Sequence, residues 1–391
     1  MNYRDELTNT ILPFWLRHGM DRKNGGIFTC VDEKGELYGR DKSVWFQGRA
    51  LWTFSKAYNV IERNPEYLEA AKSLYHFLER CSDTDGRMYF TVTEDGRGIQ
   101  KRRYYFSETF AAIGCAEYYC ASGEREALLA ARKYFDIAYE CFTGVRPNEP
   151  KFNRDTHDYK ALSPVMIMLS TAQTMRAVDV AWKDRYAKIA KECLREILYG
   201  GFLTDRALLE NVSRDGLAVD TPTGRTVNPG HSMEAAWFVM LEGILTDDRE
   251  AVALGKKIID ITLPLGWDEK HGGIIAFTDA LGKPPVALEW DMKLWWPQCE
   301  AIIAARLAYE IFGEEKYLKF YREAEAYAEK YFVDGQYGEW YGYLHYDNTL
   351  STTLKGNIFK GPFHIPRLYM IMAVLDSGAP IESYMQNGER H

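Results

Sequence analysis

The chain has 391 residues, of which 46% are hydrophobic and 27% charged, and a formal net charge of −8. Single cores stop growing near roughly 250–300 residues, so this length predicts either two domains or one large closed architecture. Net negative charge without a Lys/Arg block argues against a nucleic-acid partner, and no run reaches the roughly 20 apolar residues that span a bilayer.

Residues 3–18 place Leu7, Ile11, Leu12, Trp15 and Leu16 at helical spacing and lead into a turn-rich stretch, His18–Gly26. Ile27–Val31 reads as a short strand before the turn Asp32–Gly35, which predicts a small hairpin. Helical periodicity covers 46–61 and 66–81, with Asn64-Pro65 as the break, and Gly86–Gly96 is a second hairpin-like piece. The unit then recurs. Helices fit 107–121 with 125–142, 163–181 with 184–198, 231–245 with 248–263 and 295–312 with 315–332, while 364–377 closes against the N-terminal helix. Residues 387–391 are expected to fray.

Twelve helices in six hairpins mean an open solenoid or a closed ring. The spacing here is irregular, roughly 50–65 residues with long Gly-rich loops, whereas an open tetratricopeptide array repeats at about 34 with short turns. The expectation is an all-α fold, an (α/α)6 barrel formed as one domain over 1–391, with short β-hairpins in the loops over one mouth. Seven Cys are scattered and none is spaced C-x-x-C, which predicts a reducing compartment without a disulfide framework or zinc site. Met1–Glu6 opens on charged residues without an apolar signal core, so a cytoplasmic protein is expected.

Chemistry concentrates at four helix starts. In Asn228-Pro-Gly-His-Ser-Met-Glu234, Asn228 suits the cap and Pro229 the first helical position. His231 falls in the first turn, where unpaired amides favour a neutral imidazole, and Glu234 follows at i+3 as its expected partner. Trp45-Phe-Gln-Gly-Arg49 sets Arg49 among aromatics, Tyr105-Phe-Ser-Glu108 puts Glu108 beside Tyr105, and Lys293-Leu-Trp-Trp-Pro-Gln-Cys-Glu300 puts Glu300 at i+4 from Trp296. Each of these, taken alone, also fits an amphipathic helix with a surface ion pair. His364, before Ile365-Pro366, is expected in extended chain, with Pro366 opening the last helix. Metal motifs, Gly-x-Ser-x-Gly, Walker and Rossmann fingerprints are absent, so neither a metal nor a phosphate cofactor is expected.

Taken together, Trp45–Arg49, Phe106–Phe110, Asn228–Glu234, Lys293–Glu300 and Lys355–Arg367 resemble the N-acylglucosamine 2-epimerase family, in family order and over almost the whole chain. The resemblance implies an (α/α)6 barrel and a cytosolic, often dimeric, epimerase or isomerase acting on a monosaccharide. It implies His231 and His364 as the acid/base pair and Arg49 and Glu300 as further essential residues. Tyr105, Trp296, Lys293, Glu108 and Met166 are the expected substrate-binding residues. Members acting on disaccharides carry a further His in the stretch matching Ser163–Ser170, and this chain has none there. Lys355–Arg367 looks closest to the branch acting on N-acetylglucosamine and N-acetylmannosamine. Some of that branch are activated by ATP, which here would be allosteric rather than consumed. The rival readings are aldose–ketose isomerisation on the same site, a glycoside hydrolase with two opposed carboxylates, and a non-catalytic helical scaffold.

Overall fold

The computed structural model describes residues 1–101, 104–148 and 151–385; the fraying expected at 387–391 lies outside them. Helices α1 (Tyr3–Glu6) and α2 (Leu12–His18), joined by a π-helical turn at Leu7–Ile11, form the N-terminal helix. Five hairpins follow: α3 (Val44–Val60) with α4 (Pro65–Leu78), α5 (Phe106–Ser122) with α6 (Arg125–Thr143), α7 (Leu162–Val178) with α8 (Lys183–Tyr199), α9 (Pro229–Thr246) with α10 (Arg249–Gly266), and α11 (Trp295–Phe312) with α12 (Glu315–Tyr331). Then α13 (His364–Asp376) packs on the N-terminal helix, and a short α14 (Glu382–Met385) follows.

The first helices of the hairpins close into a ring. Helix α3 packs on α5, α5 on α7, α7 on α9, α9 on α11, α11 on α13, and α13 returns to α3. Sequence dictates which helix goes inside. In α9 nearly every residue from Pro229 to Gly243 is buried, as a helix apolar on all sides requires, whereas α8 buries one stripe: Tyr186, Ile189, Ala190, Cys193, Leu194, Ile197 and Leu198. Helices α3 and α5 meet backbone to backbone, since a Cβ on Gly48 would lie 2.5 Å from the Phe110 carbonyl carbon. This is the expected (α/α)6 barrel.

Four small antiparallel sheets tie the loops. They pair β1 (Lys42–Ser43), β2 (Thr91–Val92) and β3 (Gly98–Gln100); β4 (Tyr159–Ala161) and β5 (Asn211–Ser213); β6 (Thr226–Val227) and β7 (Thr278–Asp279); and β8 (Lys293–Leu294), β9 (Tyr343–Leu344) and β10 (Leu350–Thr352). The hairpin expected at Ile27–Val31 is reduced to single bridges, Met20 to Ile27 and Val31 to Leu37. A side chain takes the ladder's place there, because Gln47 both accepts from Ile27 N and donates to Ile27 O, each at 2.9 Å. All seven cysteines are free thiols, and no helix among the described residues is long and apolar enough to cross a membrane.

Candidate active site

First turns of the inner helices line one cavity of about 280 Å³. That is near the lower end of the roughly 300–1,000 Å³ typical of small-molecule sites. Arg49 enters from α3, Phe110 from α5, Met166 from α7, His231 and Glu234 from α9, and Arg367 from α13.

His231 is set by its helix start as expected: the Asn228 side chain accepts from His231 N at 3.1 Å, and Pro229 occupies the first helical position. Its partner is different. The carboxylate on Nδ1, at 2.9 Å, belongs to Glu210, the residue before β5, and Glu234 instead pairs with Arg367. The direction of shift expected from the helix start is reversed as well. Burial pulls the pKa down, but the charge and hydrogen bond of Glu210, helped by Glu234 and Glu300, raise it above the ordinary imidazole value.

His364 is the first residue of α13 rather than extended chain. Pro366 fits two residues into the helix because the first four amides of a helix have no intrahelical acceptor, so its missing N–H leaves no carbonyl unpaired. The His364 Nδ1 lies 2.8 Å from Glu300 Oε1, and the same oxygen accepts from Arg367 Nη2 at 2.7 Å. Trp237 Nε1 donates to Oε2 of Glu300 at 2.8 Å, so that carboxylate is fully engaged and fixed. Burial, followed by the Arg367 and Arg49 guanidinium charges, holds His364 well below the usual imidazole range. Among the described residues neither imidazole uses Nε2 in a hydrogen bond; both rings pack on Trp296, with centroids 5.2 and 5.7 Å away.

Arg49 is a half-buried cation without an ion pair among the described residues, and its buried Nε has no hydrogen-bond partner. Its guanidinium carbon lies 4.0 Å from the Phe110 ring centroid and 4.7 Å from that of Phe363. Burial, together with Arg367, lowers its pKa to about 9 against the pull of Glu234 and Glu300, so the cation persists at neutral pH. Sequence reasoning gave Arg367 no role, although it sits at i+3 from His364. It joins Glu234, Glu300 and His364 into one cluster. Ligand atoms of those three lie within 4.8 Å of one another, a spacing a metal could use, but Arg367 Nη2 already donates into their midst.

Of the expected binding residues, Met166 lines the cavity and Trp296 packs against both imidazoles. Three others do not reach it. Tyr105 is buried against Phe106 and Phe142, and its neighbour Tyr104 lines the cavity instead. Glu108 accepts from Arg87 Nε at 2.6 Å and Met88 N at 2.9 Å, fixing a loop. Lys293 Nζ is fully buried on Asp268 at 2.7 Å, Tyr346 O and Asn348 Oδ1. Glu108 and Lys293 share one cause: a charged side chain at a helix start must satisfy its own buried environment before it can serve a ligand.

The sequence model of N-acylglucosamine 2-epimerase (GlcNAc 2-epimerase) matches residues 26–363. The N-acylglucosamine 2-epimerase of Rattus norvegicus is 34% identical over 372 residues, covering 92% of this chain and 87% of its own. A solved sugar epimerase from a ruminal bacterium superposes with a TM-score of 0.82 at 23% identity, covering 97% of this chain and 98% of its own. A solved D-mannose isomerase superposes with a TM-score of 0.83 at 19% identity, covering 96% and 97%; both likenesses concern the fold. With the family's sequence model matched from residue 26 to residue 363, the chain belongs to the N-acylglucosamine 2-epimerase family.

Proposed function

We propose that this protein is a sugar 2-epimerase that interconverts N-acetylglucosamine and N-acetylmannosamine, one of His364 and His231 removing the C2 proton and the other delivering a new one. One observation carries the reading. Two imidazoles flank Trp296, each held at Nδ1 by its own carboxylate, Glu210 or Glu300, and each with Nε2 unengaged. The identity of the sugar rests on similarity to the N-acylglucosamine 2-epimerases.

Ring opening exposes a C1 aldehyde, which acidifies the C2–H bond. Neutral His364, its Nδ1–H given to Glu300, accepts the C2 proton at Nε2. Negative charge then develops on the enediolate oxygen, where the unpaired Arg49 cation in a desolvated site stabilises it. Protonated His231, held by Glu210, returns a proton to C2 from the other face, and the configuration inverts. The reverse reaction exchanges the two roles. Two groups whose surroundings push their pKa values apart make the acid/base assignment. On this reading no cofactor is consumed, ATP acts only away from the chemistry, and the protein works in the cytoplasm as a homodimer.

Single variants test the pair. In D2O, His364→Asn and His231→Asn should each abolish epimerisation, yet each should still exchange the C2 proton of one epimer, a different one for each variant. Epimerisation surviving in either variant would overturn the two-base reading.

A further inference from the structure

Beneath the site the ring is closed by the chain itself. Helix α14 packs on α13 and α9, and Tyr384, 3% exposed, enters the lower end of the barrel. Its ring lies 6.5 Å from that of Trp52 and 5.0 Å from Lys56 Nζ, both on the face of α3 that carries Arg49. Between Tyr384 and the site is a second cavity of about 30 Å³, bounded by Trp52, Ser170, Gln173, Phe363, Arg367 and Tyr384 among others. Ser170, Phe363 and Arg367 line the upper cavity too, so a single layer of side chains separates the two spaces.

Two residues around the lower cavity hold a buried polar atom without a hydrogen bond: Arg367 at Nε and Tyr384 at its hydroxyl. Burial raises the Tyr384 pKa well above its ordinary value, so the hydroxyl keeps its proton at neutral pH. A water needs roughly 10–15 Å³ and two to four polar partners, which this cavity supplies once. Arg367 is tied to Glu234 and Glu300 through Nη2 alone, and the Nε edge of the guanidinium is left over.

We propose that one ordered water sits in this lower cavity, bonded to Arg367 Nε–H and the Tyr384 hydroxyl, and that Tyr384 is a positioning residue for Arg367. The water fixes the plane of the guanidinium, and through it the placement of Glu300 and His364. The charged and titratable groups facing this arrangement are Arg49 and Lys56 from α3, Glu117 from α5, His231 and Glu234 from α9, Glu300 from α11, and His364 on α13 itself.

The test uses wild type and Tyr384→Phe, which keeps the ring and removes the hydroxyl. A high-resolution crystal structure of the wild type should show a water within hydrogen-bond distance of both atoms. Titration of the His364 imidazole by 15N NMR should show its pKa rising in the variant, because the Arg367 charge is less firmly held beside it. The kinetic arm rests on the epimerase reading: kcat should fall about tenfold with KM unchanged, at an unaltered melting temperature, as loss of orientation rather than binding requires. A wild-type map without that water, or a variant whose His364 titrates as in the wild type, would overturn the proposal. A water present in a protein that epimerises no sugar would leave this inference standing and sink the functional reading instead.

Discussion

At His231 the desolvation penalty on an imidazolium competes with a carboxylate 2.9 Å from Nδ1, and the carboxylate wins; at His364 burial is reinforced by two guanidinium groups and the neutral form wins. The proposed reaction, started at His364, needs His364 neutral and His231 charged. Activity should therefore fall at acid pH as His364 takes up a proton, below the ordinary imidazole range, and at alkaline pH as His231 loses one, above it. Glu210→Gln removes the group that raises His231 while leaving its burial, so the alkaline limb of kcat/KM should move to lower pH and the acid limb should stay. A pH–rate profile of the variant checks this, and an unmoved alkaline limb would exclude Glu210 from that role. Asn228, Pro229 and His231 were legible because capping is local chemistry within three residues. Glu210 was not legible, because it reaches His231 from a loop 21 positions earlier that carries no pattern of its own. Arg367 did leave a trace, the i+3 spacing from His364, but a single Arg in an apolar helix start gives no hint of which carboxylates it will meet.

Lys293 shows what an element demands of its ends. Three loops that lead into inner helices α3, α11 and α13 use the same device: a turn Asp whose carboxylate holds a buried Lys from the strand or extended segment that follows. The pairs are Asp21 with Lys42 at 2.8 Å, Asp268 with Lys293 at 2.7 Å and Asp334 with Lys355 at 2.7 Å. The other carboxylate oxygen accepts turn amides, as Asp268 Oδ1 does from Lys270 N and His271 N. Lys293→Met leaves Asp268 buried without its cation, and breaking a buried pair from one side costs about 3–5 kcal/mol. Urea unfolding should register that loss, while the KM of the folded fraction stays close to wild type; a raised KM at unchanged stability would return Lys293 to the substrate. The helices themselves were readable to within three residues at each end, since a 3.6-residue pattern repeats over four or five turns and Asn64, Asn228 and Asp248 cap them. The strands are two or three residues long, too short for a period-2 pattern to declare itself.

Ring closure does for the whole molecule what no single element does. His231 and His364 stand 133 positions apart in sequence, yet α9, α11 and α13 are consecutive in the ring, and Trp296 on α11 packs against both imidazoles. The charged and imidazole side chains that line the cavity are Arg49 from α3, His231 and Glu234 from α9 and Arg367 from α13, whereas α5 and α7 offer Phe106, Phe110, Ile113, Met166 and the hydroxyls of Ser163 and Ser170. In the proposed reaction the reacting carbon belongs against the α9, α13 and α3 side of the cavity. The measurement that tests this account most directly is NMR of the wild-type protein with N-acetylmannosamine in D2O. The account predicts appearance of N-acetylglucosamine carrying deuterium at C2. A ketose as the product, or an epimer that keeps its original C2 proton, would contradict it.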